Sequence, residues 1–126
     1  MSKITTTDDQ NWKSTQLGDF VVSECPLWET DEAYTYLLKL PKGFVFPHHA
    51  HRGAVQVFVL QGCIQVQFTD GARDVRANEF YVVEAGDAHV ELVEEDDTML
   101  YVTSAENRAG LYEPVNLPGE LKVRAA

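Results

Sequence analysis

The chain has 126 residues, and its 20 acidic and 10 basic side chains give a formal net charge of −10. A domain of this length can bury a hydrophobic core without disulfides. The acidic balance argues against a nucleic-acid partner, because phosphates would be repelled over most of the surface. The sequence has neither an apolar run long enough to span a membrane nor a signal-peptide pattern, so we expect a cytoplasmic protein with no membrane partner.

Six segments alternate apolar and polar residues with the period of two that is typical of β-strands. In chain order they are residues 33–40, 55–60, 63–68, 79–84, 89–93 and 98–104. Turn sequences separate them at 41–43, 61–62, 69–74, 84–88 and 94–97. Short strands at regular spacing predict an all-β fold, a sandwich or a small barrel, in one domain over residues 1–126.

The two ends of the chain lack this pattern. Residues 1–18 and 115–126 are predicted to be peripheral arms around a metal-binding core at 43–104. A strand edge that is left open invites pairing with another chain, and dimerisation is one way to cover it. We therefore expect a homodimer.

Three of the four histidines lie at residues 48–51, directly before a predicted strand. On an extended chain, alternation points His49 and His51 to one side and His48 to the other. The fourth, His89, begins a later strand. If these sides line the interior, His49, His51 and His89 offer three imidazole nitrogens to one divalent metal ion and leave positions open on it.

Two polar residues are predicted to lie near these histidines. Gln56 heads an alternating stretch whose residues 56, 58 and 60 are assigned to the inner face. Its amide would be a weak fourth ligand or a hydrogen-bond partner of bound water or substrate. Glu91 follows His89 by two residues and shares its face if the strand is regular. It is a fourth ligand, a base that removes a proton from a carbonyl substrate, or an exposed glutamate in an acidic strand.

Two stretches of sequence resemble the cupin motifs. Residues 43–62, GFVFPHHAHRGAVQVFVLQG, resemble the first motif, in which a glycine precedes HxH, an acidic residue and a second glycine. Residues 84–89, EAGDAH, resemble the second motif, PxGxxH, with Glu84 in place of proline. The resemblance implies a cupin (RmlC-like) fold, a double-stranded antiparallel β-helix or jelly-roll barrel.

The same resemblance assigns the acidic position of the first motif to Gln56. Three neutral imidazoles then leave the double charge of the ion uncompensated. Such a centre favours small anionic or chelating carbonyl substrates, which supply the missing negative oxygen.

The sequence is also similar to particular three-histidine cupins, namely the dioxygenases that cleave acetylacetone or 2,4′-dihydroxyacetophenone, and the cupin-like domain of the ChrR anti-sigma factor. The dioxygenases imply non-haem Fe(II), O2 and cleavage of a C–C bond in a small enolisable carbonyl compound. The anti-sigma domain implies zinc. We expect one divalent ion per subunit, Fe(II) being favoured over Zn, Ni or Mn. Two other functions stay open: a metal-containing sensor or binding module, and an oxygen-independent isomerase or lyase.

Overall fold

The computed structural model describes residues 2–111, and of Pro47 and His48 it describes the backbone alone. The elements are a 3₁₀ turn at Asp9–Asn11, the strands β1 Lys13–Leu17, β2 Phe20–Glu29, β3 Tyr34–Leu40, β4 Val45–His49, β5 Val55–Gln61, β6 Cys63–Phe68, β7 Gly71–Arg76, β8 Phe80–Val83, β9 His89–Val93 and β10 Thr98–Ser104, and the short helix α1 Arg108–Leu111. Within residues 2–111, no helix has the length and hydropathy to cross a membrane. The predicted arm at 115–126 lies outside the described residues.

The strands form two antiparallel sheets. The larger sheet has six strands in the order β1-β2-β3-β10-β5-β8, and the smaller has four in the order β4-β9-β6-β7. In the smaller sheet β9 lies between β4 and β6, so segments distant in sequence become direct neighbours. The all-β fold predicted from the alternation is confirmed.

Four strands were absent from the prediction: β1, β2, β4 and β7. β1 falls within the stretch predicted to be an arm, yet it pairs with β2 over its full length, from Lys13 to Leu17. All of its side chains are exposed. β7 overlaps a predicted turn, and only Val75 in it is buried. A period of two appears in a sequence only where one face of a strand is buried, and β1 and β7 bury almost nothing.

The core lies between the two sheets and uses alternate residues of β3, β5, β6 and β10. On β3 these are Tyr34, Tyr36, Leu38 and Leu40, and the rings of Tyr34 and Tyr36 stack with centroids 4.4 Å apart. They share one cluster with residues from both sheets, namely Phe44, Val55, Val57, Val59, Ile64, Val66, Val75, Val93, Leu100, Val102 and Leu111. This apolar cluster holds the two sheets together.

On β5 the predicted orientation is wrong. Val55, Val57 and Val59 are buried, whereas Gln56 and Leu60 are exposed on the outer face. The stretch Val-Gln-Val-Phe-Val-Leu offers two largely apolar faces, and alternation alone does not say which of them is inside. The valines take the inside, where they pack with the tyrosines of β3.

Gly62 connects β5 in the larger sheet to β6 in the smaller one. Its substitution tests how closely this connection packs against Thr98. Its φ is +87°, and a Cβ there would lie 2.3 Å from Oγ1 and 2.7 Å from Cα of Thr98. We expect Gly62→Ala to lower the free energy of unfolding by about 2–4 kcal/mol, since backbone strain and a steric clash act together. Gly18→Ala is the control, because Gly18 has φ +63° with no neighbour within 4 Å, and it should cost about 1 kcal/mol. Urea unfolding measures the stability of both variants, and equal losses of stability would show that Gly62 does not pack closely against Thr98.

Candidate metal centre

Three histidines meet at one end of the space between the sheets. His49 ends β4 and His89 begins β9, and the two are direct partners across that pair of strands. His51 follows two residues after β4. The ring centroids are 4.0 Å apart for His49 and His89, 4.8 Å for His49 and His51, and 5.4 Å for His51 and His89. The structure therefore brings together the three histidines that the sequence selected.

The backbone around these histidines links the two sequence motifs. The register of β4 against β9 shifts between Phe46 and His49, and this irregularity lies immediately before the cluster. The N–H of Gly86 donates to the carbonyl of His51 at 2.8 Å. Gly86 has φ +82°, a conformation that glycine adopts without strain. The turn before His89 is thus tied to the segment that carries His51.

The geometry of the nitrogens fits a divalent ion. One ring nitrogen from each histidine lies within 4.8 Å of the others. Ligands bound at about 2.1 Å to one ion are ~3–4 Å apart, a separation that small side-chain rotations provide. Nδ1 of His89 lies 3.0 Å from the carbonyl oxygen of Asp87, which leaves Nε2 facing the cluster. This is the usual way in which a protein orients a metal-binding imidazole.

Glu91 lies with the histidines and is not exposed to solvent. It shares the inward face of β9 with His89, and only 8% of its surface is accessible. Its Oε1 is 3.2 Å from Nε2 of His89 and 3.5 Å from Nε2 of His49. The carboxylate therefore faces the same point as the histidine nitrogens, as a fourth donor or as a proton acceptor beside the ion.

Electrostatics set the protonation states in the cluster, and they keep His51 and Glu91 in the form that a cation needs. Burial, and then the charges of His49 and His89, lower the pKa of His51 to about 4, so this imidazole is neutral at pH 7. Burial alone would lower the pKa of His89 and raise that of Glu91. The hydrogen bond and charge that they share outweigh burial, so the pKa of His89 is raised and that of Glu91 is lowered. Glu91 is consequently an ionised carboxylate.

The structure does not bring Gln56 to the histidines, and this corrects its assignment to the inner face. Gln56 is exposed on the outside of the larger sheet, between Thr103 of β10 and Val82 of β8. The inward residue at this end of β5 is Val55, which is 5% accessible. The oxygen-bearing side chain beside the histidines therefore comes from β9, as Glu91, and not from β5. The side chain of His48 lies outside the described residues.

Tyr81 on β8 is a site residue that sequence reasoning missed. Its hydroxyl donates to Oε2 of Glu91, whereas Oε1 is the oxygen that lies close to the histidine nitrogens. Burial and the charge of Glu91 hold the pKa of Tyr81 well above its usual value, so the phenol remains a donor. In the sequence Tyr81 is one aromatic among many in an alternating strand. Only the packing of one sheet on the other brings it to Glu91.

A second group of potential ligands lies at the other end of β6. Cys63, Asp74 and Glu94 each place one donor atom within 4.8 Å of the others. Sγ of Cys63 donates to Glu94 at 3.1 Å. Burial, and then this hydrogen bond, raise the pKa of the thiol to about 12. The thiolate is the form that binds a metal, so an ion at this group would have to displace the proton that Cys63 shares with Glu94.

Comparison with known proteins identifies the family. A family model described as the ChrR cupin-like domain matches residues 1–107. The chain belongs to this cupin family. No curated protein sequence matches the chain. The jelly-roll barrel that the resemblance implied is thereby confirmed for this cupin.

Solved structures with the same fold come from proteins of different kinds. KdgF from Halomonas sp. is 17% identical with a TM-score of 0.73, the match covering 86% of this cupin and 98% of that chain. An acetylacetone dioxygenase from Acinetobacter johnsonii is 16% identical with a TM-score of 0.71, and the match covers 91% of this cupin and 85% of that chain. The complex of Rhodobacter sphaeroides SigE with the anti-sigma ChrR contains a chain that is 25% identical with a TM-score of 0.63, over 79% of this cupin and 50% of that chain. The first two similarities concern the fold alone.

Replacement of two histidines tests the centre. We expect the double variant His49→Ala, His89→Ala to lose its metal. Removal of a residue that only hydrogen-bonds to a ligand lowers metal affinity by roughly 10–100-fold, and removal of two ligands should lower it further. Metal per chain is measured by elemental analysis of protein without a histidine tag. His48→Ala is the matched control, because it is the one histidine of the chain that the sequence did not assign to the ion. Full metal content in the double variant would refute the site.

Removal of one hydroxyl tests the role of Tyr81. Tyr81→Phe leaves the ring in the core and frees Oε2 of Glu91, so we expect metal affinity to fall by about 10–100-fold. Tyr101→Phe is the control, since the side chain of Tyr101 is 40% exposed on the outer face of the larger sheet. Calorimetric titration of the metal-free variants with Zn²⁺ measures both. Equal affinities would show that Tyr81 does not orient the carboxylate.

Proposed function

We propose that this cupin is a mononuclear metalloenzyme that acts on a small enolisable carbonyl compound. In the form we favour, it holds Fe(II) and uses O2 to cleave a C–C bond of a diketone or hydroxyketone. One observation carries the proposal: the buried carboxylate of Glu91 faces the same point as the nitrogens of His49, His51 and His89. A proton acceptor beside a metal ion is what enolisation of a carbonyl compound requires.

The residues of the chain have separate roles in this proposal. His49, His51 and His89 hold the ion, which when bound supplies a Lewis acid for the carbonyl oxygens and, as Fe(II), the means to activate O2. Glu91 accepts the proton from the carbon next to the carbonyl through Oε1. Tyr81 holds Oε2 and keeps the carboxylate in one orientation. The low accessibility of Glu91 and His89 limits competition from water.

The preference for oxygen chemistry rests on a structural neighbour. The Acinetobacter johnsonii protein is an acetylacetone dioxygenase, and its fold covers 91% of this chain. An oxygen-independent isomerase or lyase would use the same proton acceptor. The two reactions therefore share the proton-transfer step and differ in whether O2 then reacts with the enolate.

A second function, that of a metal-containing sensor or binding domain, is favoured by a different observation. The family model is that of a ChrR cupin-like domain, and ChrR is named as an anti-sigma protein in the complex with SigE. In that case the ion would be a firmly held structural zinc, and Glu91 would complete its ligand set. The two functions make opposite predictions about turnover.

Reconstitution with defined metals separates these functions. Metal-free protein is loaded anaerobically with Fe(II), Zn, Ni or Mn and given pentane-2,4-dione or a hydroxyketone, with O2 uptake and products measured together. We expect O2 uptake equal to substrate loss with Fe(II) alone. Glu91→Gln should lower kcat per bound iron by about 10²–10⁴-fold, the usual contribution of a positioned base. The control is Glu84→Gln, which changes an exposed carboxylate.

The other outcomes are equally specific. If the reaction is run in D2O, incorporation of deuterium into the hydroxyketone without O2 uptake would show that the protein is an isomerase or lyase. Firmly bound zinc with no turnover of either substrate under any metal would assign the binding domain. Full activity in Glu91→Gln would remove the carboxylate from the reaction whichever substrate is used.

A further inference from the structure

The short helix α1 follows β10, and the chain that leads into it is tied to the segment that carries His51. β10 and β5 are neighbours in the larger sheet. The N–H of Ala105, just after β10, donates to the carbonyl of Ala54, just before β5, at 2.9 Å. A Cβ at Gly53 would lie only 2.8 Å from the carbonyl oxygen of Ala105. The residues that follow His51 therefore pack closely against the approach to α1.

His51 is the histidine whose ring the strands do not hold. His49 and His89 are partners within one pair of strands, whereas His51 lies two residues beyond β4. The bond from Gly86 reaches the carbonyl of His51, so it holds the backbone of this residue and not its ring. The ring of His89 is oriented by a backbone carbonyl, that of Asp87. A corresponding contact for the ring of His51 must come from outside β4 and β9.

The carbonyl of Leu111, at the end of α1, makes this contact. It accepts a hydrogen bond from the ring of His51. A neutral imidazole has one N–H and one nitrogen that carries a lone pair. If the N–H is bonded to Leu111, the other nitrogen is the one available to an ion, and the ring cannot turn without breaking the bond. Leu111 and Asp87 thus have the same relation to His51 and His89.

The helix is held in place by its first and last residues. Leu111 is 5% accessible and belongs to the apolar core cluster. Nε and Nη2 of Arg108 donate to the two carboxylate oxygens of Glu24 on β2, at 2.9 and 3.3 Å. The backbone N–H of Arg108 donates to Glu29, and the hydroxyl of Tyr34 donates to Glu24. The side chain of Glu24 is only 15% exposed, so this two-pronged pair is stronger than an ordinary surface ion pair.

We propose that α1 is a positioning element of the metal centre, with Arg108 as its anchor. The pair between Arg108 and Glu24 holds α1 on β2. The helix in turn orients the ring of His51 through the carbonyl of Leu111. A helix of four residues is not stable by itself, so these contacts set its position. The inference rests on the proposed function in that it needs a metal ion at the three histidines, but it holds whichever reaction that ion supports.

Two partly exposed arginines with acidic partners give a matched test. The side chain of Arg108 is 53% exposed. That of Arg76 on β7 is 64% exposed and lies 3.7 Å from Asp74 and 3.9 Å from Glu95. We expect Arg108→Ala to lower the Zn²⁺ affinity of the metal-free, full-length protein by about 10–100-fold, because a contact that orients a ligand is lost. Arg108→Lys should recover part of this loss, since it keeps the charge. Arg76→Ala should bind Zn²⁺ as the wild type does, and calorimetric titration measures all four proteins.

Glu24→Gln tests the same contact from the other side and replaces Arg108→Ala if that variant fails to fold. The amide oxygen still accepts from Tyr34 but offers no charge to Arg108. We expect Glu24→Gln also to weaken Zn²⁺ binding. Because both substitutions remove one contact, the double variant should lose no more affinity than Arg108→Ala alone. Losses that add in full would overturn the anchor. Circular dichroism and urea unfolding show which variants are folded.

NMR of the histidine rings separates positioning from a general loss of stability. In metal-free protein with isotope-labelled histidine, the ring N–H of His51 should exchange with water faster in Arg108→Ala than in the wild type. The ring of His89, which lies 3.0 Å from the carbonyl of Asp87, should be unchanged. The chain has four histidines, so single substitutions assign the signals.

The outcomes distinguish this inference from the proposed function. Equal Zn²⁺ affinity in Arg108→Ala and Arg76→Ala, or unchanged exchange at His51, would overturn the inference and leave the proposed function standing. A wild-type chain that binds no Zn²⁺ would overturn the metal centre, and with it both the proposed function and the role of α1.

Discussion

The centre depends on a buried carboxylate. An ionised side chain inside a protein costs several kcal/mol unless it is paired and hydrogen-bonded. Glu91 meets this requirement with His49, His89 and Tyr81, which come from β4, β9 and β8. These strands belong to both sheets, so one polar cluster joins the sheets at this end while apolar side chains join them elsewhere. The contacts that form the site are therefore also the contacts that hold the two sheets together at this end of the barrel.

The same cluster explains how a cation would be accommodated without rearrangement of the fold. Glu91 is stabilised by the hydrogen bond that it shares with His89, which also raises the pKa of that histidine. A divalent ion held by these residues would take the place of that proton as the partner of the carboxylate, so binding would release a proton and affinity would fall as the pH is lowered. His51 contributes little to this dependence, because its pKa of about 4 leaves it neutral already.

Sequence predicted those features that leave a local signal. A strand with one buried face, such as β10, was found from its alternation, and His49, His51 and His89 were found from the alternation of side chains along a strand and from motif spacing. β1 was missed because every one of its side chains is exposed. Gln56 was placed inside because both faces of β5 are apolar enough to be buried. The contact between Tyr81 and Glu91 joins two sheets, and no local pattern in either strand encodes it.

β8 connects the metal centre to the outside of the larger sheet. It is a four-residue edge strand paired only with β5 among the described strands, and edge strands of this length contribute little stability by themselves. Its inward Tyr81 holds the carboxylate of the centre, while its outward Phe80 and Val82 are exposed to solvent. A displacement of β8 would therefore also displace the hydroxyl that donates to Glu91, so the orientation of the carboxylate depends on how firmly β5 holds this strand.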